Sequence, residues 1–106
     1  MLLILLLISE GMIKMLVFNL KKEWFEKIKS GEKTHEYREV KPYWERRLKN
    51  NADGWICFCE GYPRRDDAYK RLYARVKSIR ICNGKTTDLK VDKDVYDIEF
   101  ELKAWR

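Results

Sequence analysis

The chain is poor in the features that mark membrane-spanning, disulfide-stapled or multidomain proteins. Its 106 residues hold two prolines and five glycines. That leaves no room for a Pro/Gly-rich linker, so we read one domain, near the small end of the usual size range. No internal repeat or low-complexity tract is present. Cys57, Cys59 and Cys82 are an odd set of thiols without C-x2-C spacing, and His35 is the single histidine. A disulfide framework does not follow from that count, and a Cys3His zinc site is arithmetic only, so we expect free buried thiols, no metal and no cofactor. The longest apolar run, Met1–Ile8, falls well short of the roughly 20 residues of a bilayer span. It also lacks the basic start and small-residue cleavage site of a signal peptide. Ser9-Glu10-Gly11 is what AGT-GAA-GGA encodes, and GAAGGA resembles a bacterial ribosome-binding site placed ahead of a start codon at Met15. We therefore expect residues 1–14 to be translated leader outside the fold and the domain to run over residues 15–106. A short membrane or signal segment is the rival reading. The expected location is cytoplasmic, with no membrane partner.

What the chain has in surplus is positive charge, +6 net with a pI near 9.3, alongside 45% hydrophobic and 13% aromatic residues. Such a composition is globular and not disordered. The surplus is uneven. Between Tyr62 and Arg80 stand Arg64, Arg65, Lys70, Arg71, Arg75, Lys77 and Arg80 against Asp66 and Asp67, with Tyr62, Tyr69 and Tyr73 interleaved. Cations neutralise phosphates and flat rings stack on bases, so this stretch has the footprint of a nucleic-acid surface. A solvated strand face of a basic protein would read the same way.

Periodicity orders the rest. Leu16–Leu20 is a short β-rich run. Lys21–Ser30 reads as an amphipathic helix, with Leu20, Trp24 and Ile28 on one face and Phe25 beside them. Gly31 is placed to end it in the left-handed conformation. Thr34–Val40 is a strand, and Pro42 opens a second helix, Pro42–Asn50, with Trp44 and Leu48 on one side. Trp55–Glu60 is apolar on both faces, hence a central strand, with Cys57 and Cys59 sharing a face. Leu72–Cys82 is a long strand whose apolar phase slips near Lys77-Ser78, the mark of a β-bulge. Asn83-Gly84 signals a turn. In the last strand Tyr96, Ile98, Phe100 and Leu102 alternate with Asp97, Glu99, Glu101 and Lys103, giving one wet face. The order β-α-β-α-β-β-β predicts an α+β, mainly β fold: a small, partly open barrel of about five strands with two helices in its N-terminal half.

One strand breaks the rule the others obey. Thr34, Glu36, Arg38 and Val40 lie on one face, Lys33, His35, Tyr37 and Glu39 on the other, and neither face is apolar. Glu36 and Arg38 are neighbours on one face. Burying them is costly unless they pair or bind something. The competing reading is an edge strand with solvated charges.

Gly31-x-Lys33-x-x-Glu36-x-Arg38, after a helix carrying Trp24 and Ile28, resembles the G-x-K-x-x-E-x-R signature of ASCH domains. These are PUA-like barrels common as short stand-alone bacterial and phage proteins. The resemblance extends through Pro42-Tyr43-Trp44, Gly61-Tyr62, Arg75-Val76-Lys77-Ser78-Ile79 and Ile98-Glu99-Phe100. It implies a cleft between barrel and first helix that binds RNA or a modified nucleoside. There Lys33 is a cation for phosphate or, stripped of water, a base. Glu36 accepts hydrogen bonds from a base edge or orients Lys33, and Arg38 grips a phosphate or holds Glu36. Tyr37 and Tyr43 are stacking candidates, with Trp44 rather in the core. Tyr62, Arg64, Arg65, Arg75 and Lys77 form the second, basic-aromatic surface.

Some relatives in this family are amidohydrolases of N4-acetylcytidine that use the motif lysine, a threonine three residues later, and a glutamate from an insertion before the last strand. Here Lys33 matches and Glu36 replaces the threonine. The short segment Asn83 to Asp94 offers only Asp88, Asp92 and Asp94. Binding is therefore favoured over catalysis. If the chain is an enzyme, Lys33 and Glu36 are the catalytic pair of an amidohydrolase or a ribonuclease, and His35 faces away from Glu36. A monomer is expected.

Overall fold

The computed structural model describes residues 15–51 and 54–103, so the expectation for residues 1–14 falls outside the described residues. Among the described residues five strands and two α-helices follow one another: β1 (Leu16–Leu20), α1 (Lys22–Lys29), β2 (His35–Glu39), α2 (Pro42–Lys49), β3 (Trp55–Glu60), β4 (Arg71–Asn83) and β5 (Asp94–Lys103). Short 3-10 turns precede and follow β4, at Ala68–Lys70 and Gly84–Thr86. The strands form one mixed sheet in the order β1-β3-β4-β5-β2, curled into a half-barrel. β1 runs parallel to β3, and every other pairing is antiparallel. The single parallel pair follows from the chain crossing α1, β2 and α2 between the two strands, since a parallel neighbour needs a long crossover.

The curl places the two sheet edges, β1 and β2, close together. The guanidinium of Arg38 on β2 lies 4.8 Å from the Phe18 ring on β1, and Trp44 of α2 stacks on the same ring at 5.1 Å. Inside, Phe18, Phe25, Ile28, Ile56, Phe58 and Ile98 are fully buried. Each such side chain contributes roughly 1.5–3 kcal/mol of burial free energy. The slip near Lys77-Ser78 is a register shift between Val76 and Ser78 in the β4–β5 ladder, as the phase change predicts. It lets the long strand bend around the barrel.

Two details differ from the sequence reading. Leu20 belongs to β1 and not to α1, yet it is buried in one core cluster with Phe25 and Ile28, and Trp24 packs against that cluster while staying partly exposed. The outer face of β5 is not uniformly wet. Val95 is buried against the Gly84 turn, and the Asp97 side chain is mostly covered by its neighbours on β2. No helix among the described residues is long and apolar enough to cross a membrane.

Candidate functional site

The α1–β2 junction is built by local backbone chemistry. Gly31 takes φ +86°, a conformation that costs a residue with Cβ, and its N–H closes on the Ile28 carbonyl at 3.1 Å. The Lys33 N–H then donates to the Lys27 carbonyl at 3.0 Å. This tight exit turns the Lys33 side chain back under Trp24, where it is 9% exposed. Its Nζ contacts the Asp88 carboxylate directly and lies 3.5 Å from Glu36 Oε1. The rings of Tyr37 and Trp24 sit 5.1 and 5.4 Å away.

Glu36 is buried, although it sits on a strand with one free edge. Its other oxygen accepts a 2.6 Å bond from the Arg38 guanidinium, which lies against both the Phe18 and Trp44 rings. The sequence reading of a carboxylate and guanidinium paired on one face therefore describes the geometry, and the alternative of solvated edge charges does not. Arg38 Nε is buried without a hydrogen-bond partner, the only such side-chain atom found among the described residues.

Asp88 reaches the site from 55 residues away. Its turn is held by Gly84, whose N–H donates to the Lys93 carbonyl, and by buried Thr87. The Thr87 hydroxyl donates to the Gly84 carbonyl at 2.8 Å and accepts from the Leu89 N–H. Lys33, Arg38, Glu36 and Asp88 thus form a chain of two cations and two anions whose formal charges cancel. A cavity of about 220 Å³ opens on this cluster, walled by Trp24, Tyr37 and Leu89 with Asn19 and Lys21 at the β1 side. A neighbouring cavity of about 250 Å³ shares Trp24, Lys33, Tyr37 and Asp88 and adds Lys27 and His35. Burial, reinforced by Asp97 and Asp88, holds the Tyr37 phenol above its ordinary range, so its hydroxyl remains a donor. His35 lies on the opposite strand face from Glu36, and its Nδ1 bonds Asp97 at 2.6 Å.

The structure gathers Lys33, Glu36, Tyr37 and Arg38 at one cavity but not the other residues singled out from sequence. Tyr43 is exposed on α2 and lines a different cavity. Tyr62 is 90% exposed in the loop after β3, with Arg64 and Arg65 beside it. Arg75 stacks on Trp55 at 4.8 Å, and Lys77 lies 3.9 Å from Glu99. None of these five basic-surface residues lines the motif cavity. The sequence reading does not single out Trp24, which it places on a core face, or Asp88, an aspartate where the relatives carry a glutamate, or the wall residues Asn19, Lys21 and Leu89. The helix position of Trp24, about two turns before Gly31, carries some signal, whereas the long-range reach of Asp88 carries none.

Cys57 and Cys59 are buried on one face of β3, their sulfurs 3.7 Å apart. Among the described residues no group of three or more His, Cys, Asp or Glu side chains is arranged to hold a metal ion.

The family model for the ASCH domain matches residues 18–103, most of the chain, and the protein belongs to that family. A search of curated proteins finds no significant match.

Proposed function

We propose that the cavity at Lys33 binds an uncharged nucleobase or nucleoside, free or within RNA. The observation that carries this is the charge balance of the cluster. Lys33 is already matched by Asp88 and Glu36, and Arg38 by Glu36, so Lys21 at the β1 rim is the one cation of the lining without a carboxylate partner among the described residues. What remains is a set of fixed donors and acceptors between flat rings, which suits a base edge. The volume, about 220 Å³, lies below the roughly 300–1,000 Å³ of drug-sized clefts and fits one base or nucleoside. Of the alternative roles expected of them, this favours Lys33 oriented by Glu36 and Arg38 holding Glu36 over either residue gripping a phosphate. Membership of a family generally associated with RNA supports the same reading.

The test is titration with cytidine, N4-acetylcytidine and the corresponding 5′-monophosphate, followed by intrinsic tryptophan fluorescence and calorimetry. Nucleosides should bind at least as well as the monophosphate, and Trp24→Ala or Lys33→Met should remove binding. Saturation by the monophosphate alone would overturn the reading.

A second reading, hydrolysis of a modified nucleoside such as N4-acetylcytidine, is favoured by one observation: Asp88 supplies a carboxylate from the segment before the last strand and contacts Lys33. The amine and carboxylate could together deprotonate a water. Against this, Glu36 stands where those relatives carry a threonine. A buried carboxylate there repels the oxyanion that amide hydrolysis develops, the reverse of what stabilises it. Release of cytidine that Lys33→Met and Asp88→Asn both abolish would establish the enzyme.

A further inference from the structure

Of the seven cations that the sequence concentrates between Tyr62 and Arg80, four have a carboxylate within 4.0 Å in the fold, and Arg65, Arg71 and Arg75 have none among the described residues. Arg64 lies 3.8 Å from Asp66, Lys70 4.0 Å from Asp67, Lys77 3.9 Å from Glu99 and Arg80 4.0 Å from Asp97. Arg71 donates to the carbonyls of Pro63, Arg64, Arg65 and Asp67, which makes it the clasp of that loop. Arg75 lies on Trp55.

On α2 the situation is reversed. Arg46 and Arg47 have no carboxylate partner among the described residues, and the helix ends in a run of Arg46, Arg47 and Lys49. Arg47 lies over the exposed Tyr43 ring, its guanidinium carbon 3.5 Å from the ring centroid, and donates to the Tyr43 carbonyl at 3.2 Å. With Asn19, Asn50 and Val17 these side chains line a cavity of about 520 Å³. Asn19 lines both this cavity and the one at Lys33, so the two adjoin along the β1 edge.

We infer that the Arg46–Arg47–Tyr43 cavity is a backbone subsite for a single-stranded nucleic acid whose base occupies the Lys33 cavity. The strand passes Asn19 and presents its flanking phosphates to the two arginines. The inference rests on the base-binding reading of the Lys33 cavity. It differs from the sequence expectation in moving the phosphate contacts from the Tyr62–Arg80 stretch to α2. Two features support it. Arginines without carboxylate partners retain their full attraction for phosphate, and their planar forks grip it bidentately. The Tyr43–Arg47 stack offers a flat platform on which a neighbouring base can lie, so one surface supplies both charge and stacking.

The experiment uses the whole protein and a short fluorescein-labelled single strand, as RNA and as DNA of the same sequence, in anisotropy titrations over a range of salt. The tighter arm identifies the strand. For single strands each phosphate contact contributes about 0.7 to the slope of log affinity against log salt. Arg46→Gln with Arg47→Gln should therefore flatten the slope by about 1.4 and weaken binding at low salt about tenfold or more. Arg46→Lys with Arg47→Lys should keep most of the slope while losing the bidentate part of the affinity. Arg64→Gln with Arg65→Gln should change affinity less than twofold, within the scatter expected of screened rim charges. Free-nucleoside binding is measured on the same proteins. Loss of strand binding with nucleoside binding retained assigns the effect to α2, while loss of nucleoside binding in the parent protein refutes the cavity reading instead. An unchanged slope in the Arg46/Arg47 glutamine variant, a larger loss in the Arg64/Arg65 variant, or no strand binding at low salt overturns the inference.

Discussion

Replacing Glu36 by glutamine tests whether the buried charge cluster is retained for binding at the expense of stability. Glu36 is 5% exposed and joins Lys33 to Arg38. Its amide would leave two cations facing Asp88 alone. Breaking a fully buried pair costs about 3–5 kcal/mol. Arg38 is about a quarter exposed, and the amide oxygen can still accept one bond, so the expected loss is smaller, about 2–3 kcal/mol. For a domain of this size each kcal/mol shifts the melting temperature by about 4–8 °C, giving a fall of roughly 10–20 °C. The informative partner is the double variant Glu36→Leu with Arg38→Met, which replaces the pair by apolar groups of similar volume. Exchanging a buried pair in this way is often neutral or stabilising, so the double variant should recover most of the loss and still fail to bind nucleoside. Urea denaturation followed by tryptophan fluorescence measures both, with the single variants Glu36→Leu and Arg38→Met completing the cycle. A Glu36→Gln loss below about 0.5 kcal/mol, the size of an exposed pair, would refute the argument that this cluster is a buried electrostatic unit.

Other consequences follow from the same geometry. Asp88→Asn removes the most exposed of the cluster's carboxylates, so stability should fall by no more than about 1 kcal/mol, while the cavity gains one net positive charge. Calorimetry should then show the preference moving from nucleoside toward its 5′-monophosphate. Gly84→Ala would place a Cβ 2.7 Å from the Val91 carbonyl oxygen and 2.9 Å from Val95, contacts that the backbone must move to relieve. We expect a cost of about 1–3 kcal/mol by urea denaturation, and weakened nucleoside binding because the turn carrying Asp88 shifts. The hydrogen bond from Cys57, with Arg71 beside it, lowers the Cys59 thiol from 9.0 to about 7, while the same bond and burial push Cys57 up. A lowered thiol adds stability as pH rises from about 7 toward 9.0 and loses it as pH falls through about 7. Iodoacetamide labelling resolved by peptide mass spectrometry should find Cys59 modified at lower pH than Cys57, and Arg71→Gln should narrow that difference.

The element order, the bulge, the interior position of β3 and the anomalous strand are all legible in the sequence. Each of these is written in local pattern: period 3.6 in α1, period 2 in β5, a phase slip at Lys77-Ser78 and a run of charges from Lys33 to Glu39 where a core face was due. The family is legible there as well, because Gly31, Lys33, Glu36 and Arg38 stand within one short segment. The tertiary structure alone decided what those charges face. Asp88 comes from the far end of the chain, and the closeness of the β1 and β2 edges depends on how the whole sheet curls. Only the fold shows that Arg38 lies against Phe18 and Trp44. The same holds for the basic surface. Counting lysines and arginines along the chain measures where charge is made, but its partners Glu99 and Asp97 lie on another strand, so the location of unmatched charge is a property of the folded surface. That is why the motif marks the site in the sequence, while its neutrality, and the unmatched arginines of α2 beside it, become visible only in three dimensions.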